Sequence, residues 1–424
     1  VLIVLVVYLL WPAQDNLDTQ SQALVSKTQY TDGSSAWFYL LGFKAQEGVD
    51  PLDVGRSRFD AFAQAEAAIY GSAESPFYVD KPFYVALHRQ PSPLDCAIYE
   101  KVCRDGVLQK HDGIAQYLDD NNTWLSRYNT FIAMRDFKSL SNPARHPSVQ
   151  DYTVLLHGNR MVGLEALSKA INGNPEKAHA QLKQNIENIR AQLKASDNLS
   201  HKLMMTVMFM ENIDYLSVIN ALPNAIQGPV INPLTAAERD FDLAFSYEFR
   251  LIRKKLNAMF EKQAYGTVVG RIYDGALRLF FKPGMTANLL RQDMQYSSSL
   301  AKLSHAELKS AVNTKREHTV TWQDYVFNLI GTYSTTQEML DHTNKISLVF
   351  DLDAKVQLYN HMYGPENQQG MEALFTFVNP YYERTDFIRT DLENNQVCFD
   401  GLSTGLDSSQ CVLYTNRPFA VSLL

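Results

Sequence analysis

The chain has 424 residues, 46% hydrophobic and 20% charged, which supplies a large core and excludes wholesale disorder. Lys and Arg number 39 against 46 Asp and Glu, a formal charge of −7, so the basic surface of a nucleic-acid-coating protein is missing. Twenty glycines and sixteen prolines are too few for a fibrous or linker-like protein.

Val1–Leu10 reads VLIVLVVYLL without a charge and is followed by Trp11-Pro12. Ten apolar residues in a helix span about 15 Å, half of a bilayer core. Trp11 suits the membrane interface, and Pro12 stops the helix. Residues 1–12 are therefore expected to be the outer part of a single transmembrane anchor. A signal-peptide core and a buried first strand are the other readings of the same residues.

Residues 13–33 are polar and read as a stalk. Ser34-Ser35 opens a short helix, AWFYLL, closed by Gly42. Asp50-Pro51-Leu52-Asp53 starts the next, which runs to Gly71. Four prolines between residues 72 and 95 mark an extended segment. Residues 96–140 return to helical spacing, and 149–222 read as three successive antiparallel helices, the third rich in methionine at Met204, Met205, Met208 and Met210. Prolines and Gly228 over 223–234 mark a possible sub-boundary. Thr235–Glu238 is a capping box opening a helix to about Gln263; Ser304–Glu307 and Thr335–Glu338 repeat the pattern. Only the tail, 396–424, reads as strand (VCF, CVLYT, FAVSLL) and predicts a small hairpin. The expected fold is mostly α: an irregular bundle of antiparallel helix pairs over 34–395, with possible helical-repeat character and a C-terminal β hairpin.

The four cysteines fall in two close pairs, Cys96 with Cys103 and Cys398 with Cys411. Local pairing predicts two small disulfide loops in an oxidising compartment, against the alternative of four buried thiols. Neither spacing is that of a zinc site, so no metal is expected.

Trp37–Phe43, Gly48-Val49-Asp50-Pro51 and Gly55, with Leu203-Met204, Lys282-Pro283 and Asn288 further on, resemble uncharacterised inner-membrane-anchored envelope proteins of proteobacteria. The resemblance implies an inner-membrane anchor with a periplasmic body. It implies no reaction and carries no catalytic residue onto this chain.

The ten histidines are scattered, with no metalloprotease spacing. His157 and Arg160, with Gly158 between them, are candidate ligand contacts, against the simpler reading of a capped or hydrogen-bonded histidine at a helix start. Phosphate-loop and dinucleotide fingerprints are missing, so no nucleotide and no cofactor is expected. Gly401–Gly405 matches a nucleophile elbow, but no histidine follows it in the chain, and a Ser/Gly turn explains it better. Arg250, Arg253, Lys254 and Lys255 read as a solvated helix face. Glu211 and Glu248 each fall on an apolar helical stripe. Desolvation raises the pKa of such a carboxyl, and two facing ones would suit glycoside cleavage; a buried Arg partner is the bland alternative.

These readings favour a membrane-tethered periplasmic module that binds or scaffolds another envelope component. Its expected partners are lipid, through the anchor, and an envelope protein. The alternative is an envelope glycan or peptidoglycan hydrolase using Glu211 and Glu248.

Overall fold

A computed structural model of the chain describes residues 15–28, 30, 34–69, 87–140, 151–261, 280–314, 319–337, 342–364, 376–385, 388–391, 393–404 and 410–414. The anchor expected over 1–12 and the strand expected at 419–424 lie outside them. Among the described residues, no helix is long and apolar enough to cross a membrane.

The architecture is mostly helical with a small antiparallel sheet at the C-terminal end. The first helices are α1 (Thr19–Lys27), α2 (Ser35–Leu41) and α3 (Pro51–Ile69). The Ser34 hydroxyl accepts the Trp37 N–H at 3.1 Å and Gly42 ends α2, as the capping pattern requires. The polar stretch 13–33 is not a free stalk throughout. Asp18 caps α1, and α1 packs against α11 (Asp242–Glu261) and α12 (Pro283–Leu300). Arg250, expected on a solvated face, is half-buried on α11. It donates to the Thr28 carbonyl just past α1, with its guanidinium 5.0 Å from the Tyr247 ring.

Three short helices follow, α4 (Lys101–Gln109), α5 (Gly113–Asp120) and α6 (Asn122–Ala133). The helices expected over 149–222 are α7 (Thr153–Ile171), α8 (Pro175–Ala195) and α9 (Leu199–Asn220), each packed on the other two. Asn174 precedes Pro175 at the first turn of α8, where the missing N–H costs nothing. α9 has no polar face. It is enclosed by α7, α8, α11, α16 (Thr343–Tyr363) and the sheet, with Met205 and Met208 fully buried among them.

The capping box at Thr235 opens only a single turn, α10 (Ala236–Arg239). Asp240 is extended, and its carboxylate takes the Asp242 N–H at 2.9 Å, which interrupts the helix and restarts it as α11. Ser304–Glu307 caps α13 (His305–Val312) as expected. Thr335 does not open a helix: it lies inside α15 (Leu329–Gln337), its hydroxyl donating to the Gly331 carbonyl at 2.9 Å. An unanticipated box, Thr321 with Asp324, opens α14 (Trp322–Phe327) instead.

The sheet has three strands in the order β1 (Ile388–Asp391), β2 (Gln396–Phe399) and β3 (Cys411–Leu413), one more than the expected hairpin. One apolar core runs from Ala36 to Leu413, so residues on both sides of 223–234 share it.

Gly163 lets α9 approach α7. A Cβ there would lie 2.2 Å from the buried Tyr215 ring. Gly163→Val should therefore overpack this contact and cost about 1–3 kcal/mol, read as a lower midpoint in thermal or urea unfolding.

Candidate functional site

The structure gathers three of the residues singled out in the sequence, His157, Arg160 and Glu211, around a fourth that the sequence did not flag, Asp95. His157 and Arg160 sit on α7 one turn apart, so both face the same neighbours. Glu211 comes from the middle of α9. Asp95 precedes Cys96, whose disulfide to Cys103 ties this run of turns to α4.

Arg160 meets Glu211 through two guanidinium nitrogens, each 2.9 Å from the same carboxylate oxygen. The other oxygen accepts the Asn159 amide at 3.3 Å. Asp95 is ringed by His157 Nδ1 at 2.8 Å, Arg160 at 3.8 Å and Arg89. These are contacts at ion-pair distance in which no N–H is well aligned on either Asp95 oxygen. Arg89 also donates to the Tyr117 hydroxyl at 3.2 Å, and Tyr215 to the Arg160 carbonyl at 3.4 Å.

Burial pushes the Glu211 carboxyl up from 4.5 to about 6; Arg160, opposing, holds it from rising further. Around the His157 ring the cluster holds two guanidinium and two carboxylate groups, whose formal charges cancel. It therefore joins α7, α9 and the segment before α4 without needing an anionic ligand.

Glu248 is not part of this cluster. It lies half-buried on α11, near Leu199 at the start of α9; burial raises its pKa, opposed by Lys345, Lys255 and the Leu199 backbone. Glu211 sits twelve residues further along α9, a rise of about 18 Å. A glycoside-cleaving pair needs its carboxyls within roughly 5–10 Å. The two glutamates are thus separate features, and Glu211 has the arginine partner of the bland reading.

The elbow-like Gly401–Thr404 turn docks on α16. The backbone N–H groups of Leu402 and Ser403 donate to the buried Asp351 carboxylate at 3.2 and 3.0 Å, and the Ser403 and Tyr381 hydroxyls donate to it as well. Ser403 is a fastening, buried and spent on Asp351. Cys398 and Cys411 face each other across β2 and β3 and form the second disulfide. Both expected pairings are therefore present. Among the described residues, no group of three or more His, Cys, Asp or Glu is placed to hold a metal ion.

A separate groove of about 380 Å³ opens between α13 and the turn at 376–385. Lys309, Ser310, Asn313, Tyr381, Tyr382 and Arg384 line it, and the Lys309 ammonium sits 3.0 Å from the Tyr382 ring centroid. Sequence reasoning missed this groove, because its two walls are some seventy residues apart and meet only in the fold, where His305 of α13 packs edge-on against Tyr381 and Tyr381 is fastened on Asp351.

Compared with protein-family models, with curated proteins and with solved structures, the chain matches none.

Arg160→Met leaves Glu211 buried without its cation and should cost about 3–5 kcal/mol at neutral pH. A carboxyl whose folded pKa exceeds its unfolded value binds the extra proton in the folded state, so its contribution to stability falls as pH rises through that window. For the native Glu211 the window runs from 4.5 to about 6. Without Arg160 it extends upward. The deficit of the variant should therefore shrink as pH is lowered from 7 toward 5, measured by urea unfolding at each pH.

Proposed function

We propose that this chain is a membrane-tethered module of the bacterial periplasm, whose helical body binds or scaffolds another envelope component. The observation that carries the reading is how the residues just after the apolar segment are fixed. Asp15 accepts the N–H groups of Gly284 and Met285 at 2.6 and 3.2 Å, capping α12. Asp18 takes Arg291 at 3.0 Å, and its own N–H donates to Asn288 at 3.1 Å. A tether through Val1–Leu10 would thus hold the body in a set orientation and not on a long leash.

Two further features support it. The disulfides Cys96–Cys103 and Cys398–Cys411 suit an oxidising compartment. The groove beside α13 carries Lys309 and Arg384 with two tyrosines, a composition that suits an acidic, aromatic-containing segment of a protein partner. The glycan-hydrolase alternative draws no support from the geometry, since Glu211 and Glu248 do not converge.

Carbonate extraction of membranes tests the tether. The full chain should stay in the pellet, and removal of residues 1–12 should move it to the supernatant with both disulfides retained. A full chain released by carbonate would overturn the reading.

A further inference from the structure

α14 and α15 carry a continuous stripe of exposed apolar side chains: Trp322, Tyr325 and Val326, then Leu329, Ile330 and Tyr333. The spacing of three and four keeps Trp322, Tyr325 and Val326 on one face of α14 and Leu329, Ile330 and Tyr333 on one face of α15. Tyr333 is 65% exposed, Trp322 59% and Tyr325 54%, far from the buried norm for such rings in a folded protein.

The stripe is presented by a well-fastened element. Thr321 and Asp324 form the capping box of α14, and the Thr332 hydroxyl donates to the Asp324 carbonyl at 2.9 Å. Asn328, fully buried between the two helices, accepts the Lys282 N–H at 2.7 Å and the Thr286 hydroxyl at 3.1 Å, locking them to the first turn of α12. At Gly331 a Cβ would fall 2.0 Å from the Thr286 hydroxyl, so α15 lies directly on α12.

That same first turn of α12 receives Asp15. Leu10, the last residue of the apolar run, is five residues from Asp15, a reach of at most about 18 Å. Asp15 and Asn328, at the middle of the stripe, therefore meet at the same turn of α12. Trp322, Tyr325 and Tyr333, each with an apolar body and a polar tip, make up half of the stripe and are its most exposed members, and such side chains settle at the boundary between headgroups and acyl chains.

We propose that the α14–α15 stripe rests in the lipid headgroup region of the membrane that holds Val1–Leu10, so that the body sits against the bilayer with α12 at its base. This rests on the tether reading above. It adds a second, peripheral contact that fixes the orientation of the body.

The test uses the full chain reconstituted into vesicles of phosphatidylethanolamine and phosphatidylglycerol. Since the natural cysteines are paired, Tyr333→Cys, Tyr8→Cys and Lys183→Cys each accept one thiol-reactive fluorophore; Lys183 is an exposed position on α8 and serves as the aqueous reference. With lipids brominated on their acyl chains, the labels at 333 and 8 should lose most of their fluorescence and the label at 183 should keep it. Leu329→Ser with Ile330→Ser, both at exposed positions, should restore most of the signal at 333 while leaving that at 8 quenched. Quenching at 8 without quenching at 333 overturns the inference and leaves the tether standing. A blue-shifted but unquenched label at 333 also overturns it, by showing the stripe covered by protein, either a second copy or the chain's own apolar segment. Quenching at 333 without quenching at 8 supports the lipid contact and overturns the tether. Quenching at neither position overturns both.

Discussion

The constraint on which the rest of this structure depends is the complete enclosure of α9. A helix without a solvent face must satisfy every ionisable group it carries from other elements, because an unpaired buried charge costs several kcal/mol. Among these, α9 carries two buried carboxyls and one buried lysine. Glu211 takes Arg160 from α7, Asp214 takes Lys355 from α16 at 2.7 Å, and Lys202 donates to the carbonyls of Leu193 and Glu238 at 3.1 and 2.9 Å. Burial raises Asp214 to about 6 and lowers Lys202 to about 8, so these groups sit closer to neutrality than exposed ones would. Each pairing fixes a different neighbour around the central helix, and together they set how the N-terminal helices, α10 and α16 surround it.

The covalent links act at the margin of that core, and they meet one another. The Tyr99 carbonyl, inside the Cys96–Cys103 loop, accepts Arg104 at 3.2 Å and Gln396 of β2 at 3.0 Å. Arg104 also donates to Asn394, in the turn between β1 and β2, at 2.9 Å. The first disulfide loop is thus docked on the small sheet that the second one crosslinks. The sheet borrows rigidity from a segment nearly three hundred residues away, which three short strands could not supply alone. Asp95 and its ring of cations stand next to this junction, so the charged cluster and the disulfide loop share one anchorage.

Much of the local structure could be read directly from residues. Ser34 and Gly42, Asn174-Pro175, and the boxes at Thr235 and Ser304 delimit helices where they occur, because capping is settled by backbone groups within one turn. The cysteine pairing could be read for the same reason: partners are close in the chain. The errors have local causes too. Asp240 divided a helix that the apolar stripe alone would carry through, and Thr335 offered the letters of a capping box from inside a helix. α14 and α15 were not anticipated, since their apolar stripe faces outward and a periodic pattern says nothing about which face is buried.

Of the candidate site, the sequence marked His157, Arg160 and Glu211 but not what joined them. Asp95 lies in a proline-rich stretch without periodicity, and nothing near it signals that two arginines and a histidine will close on it. Residue types and spacing by themselves determined the helical class, the helix ends, the two disulfides and the presence of carboxyls on apolar stripes, because each depends on neighbours along the chain. Which charges pair, that Glu211 on α9 and Glu248 on α11 do not converge, and that Asp15 and the exposed stripe meet at the first turn of α12 were decided only by tertiary packing. Those contacts join residues from about fifty to nearly three hundred positions apart, and only the burial of a common core brings them within reach.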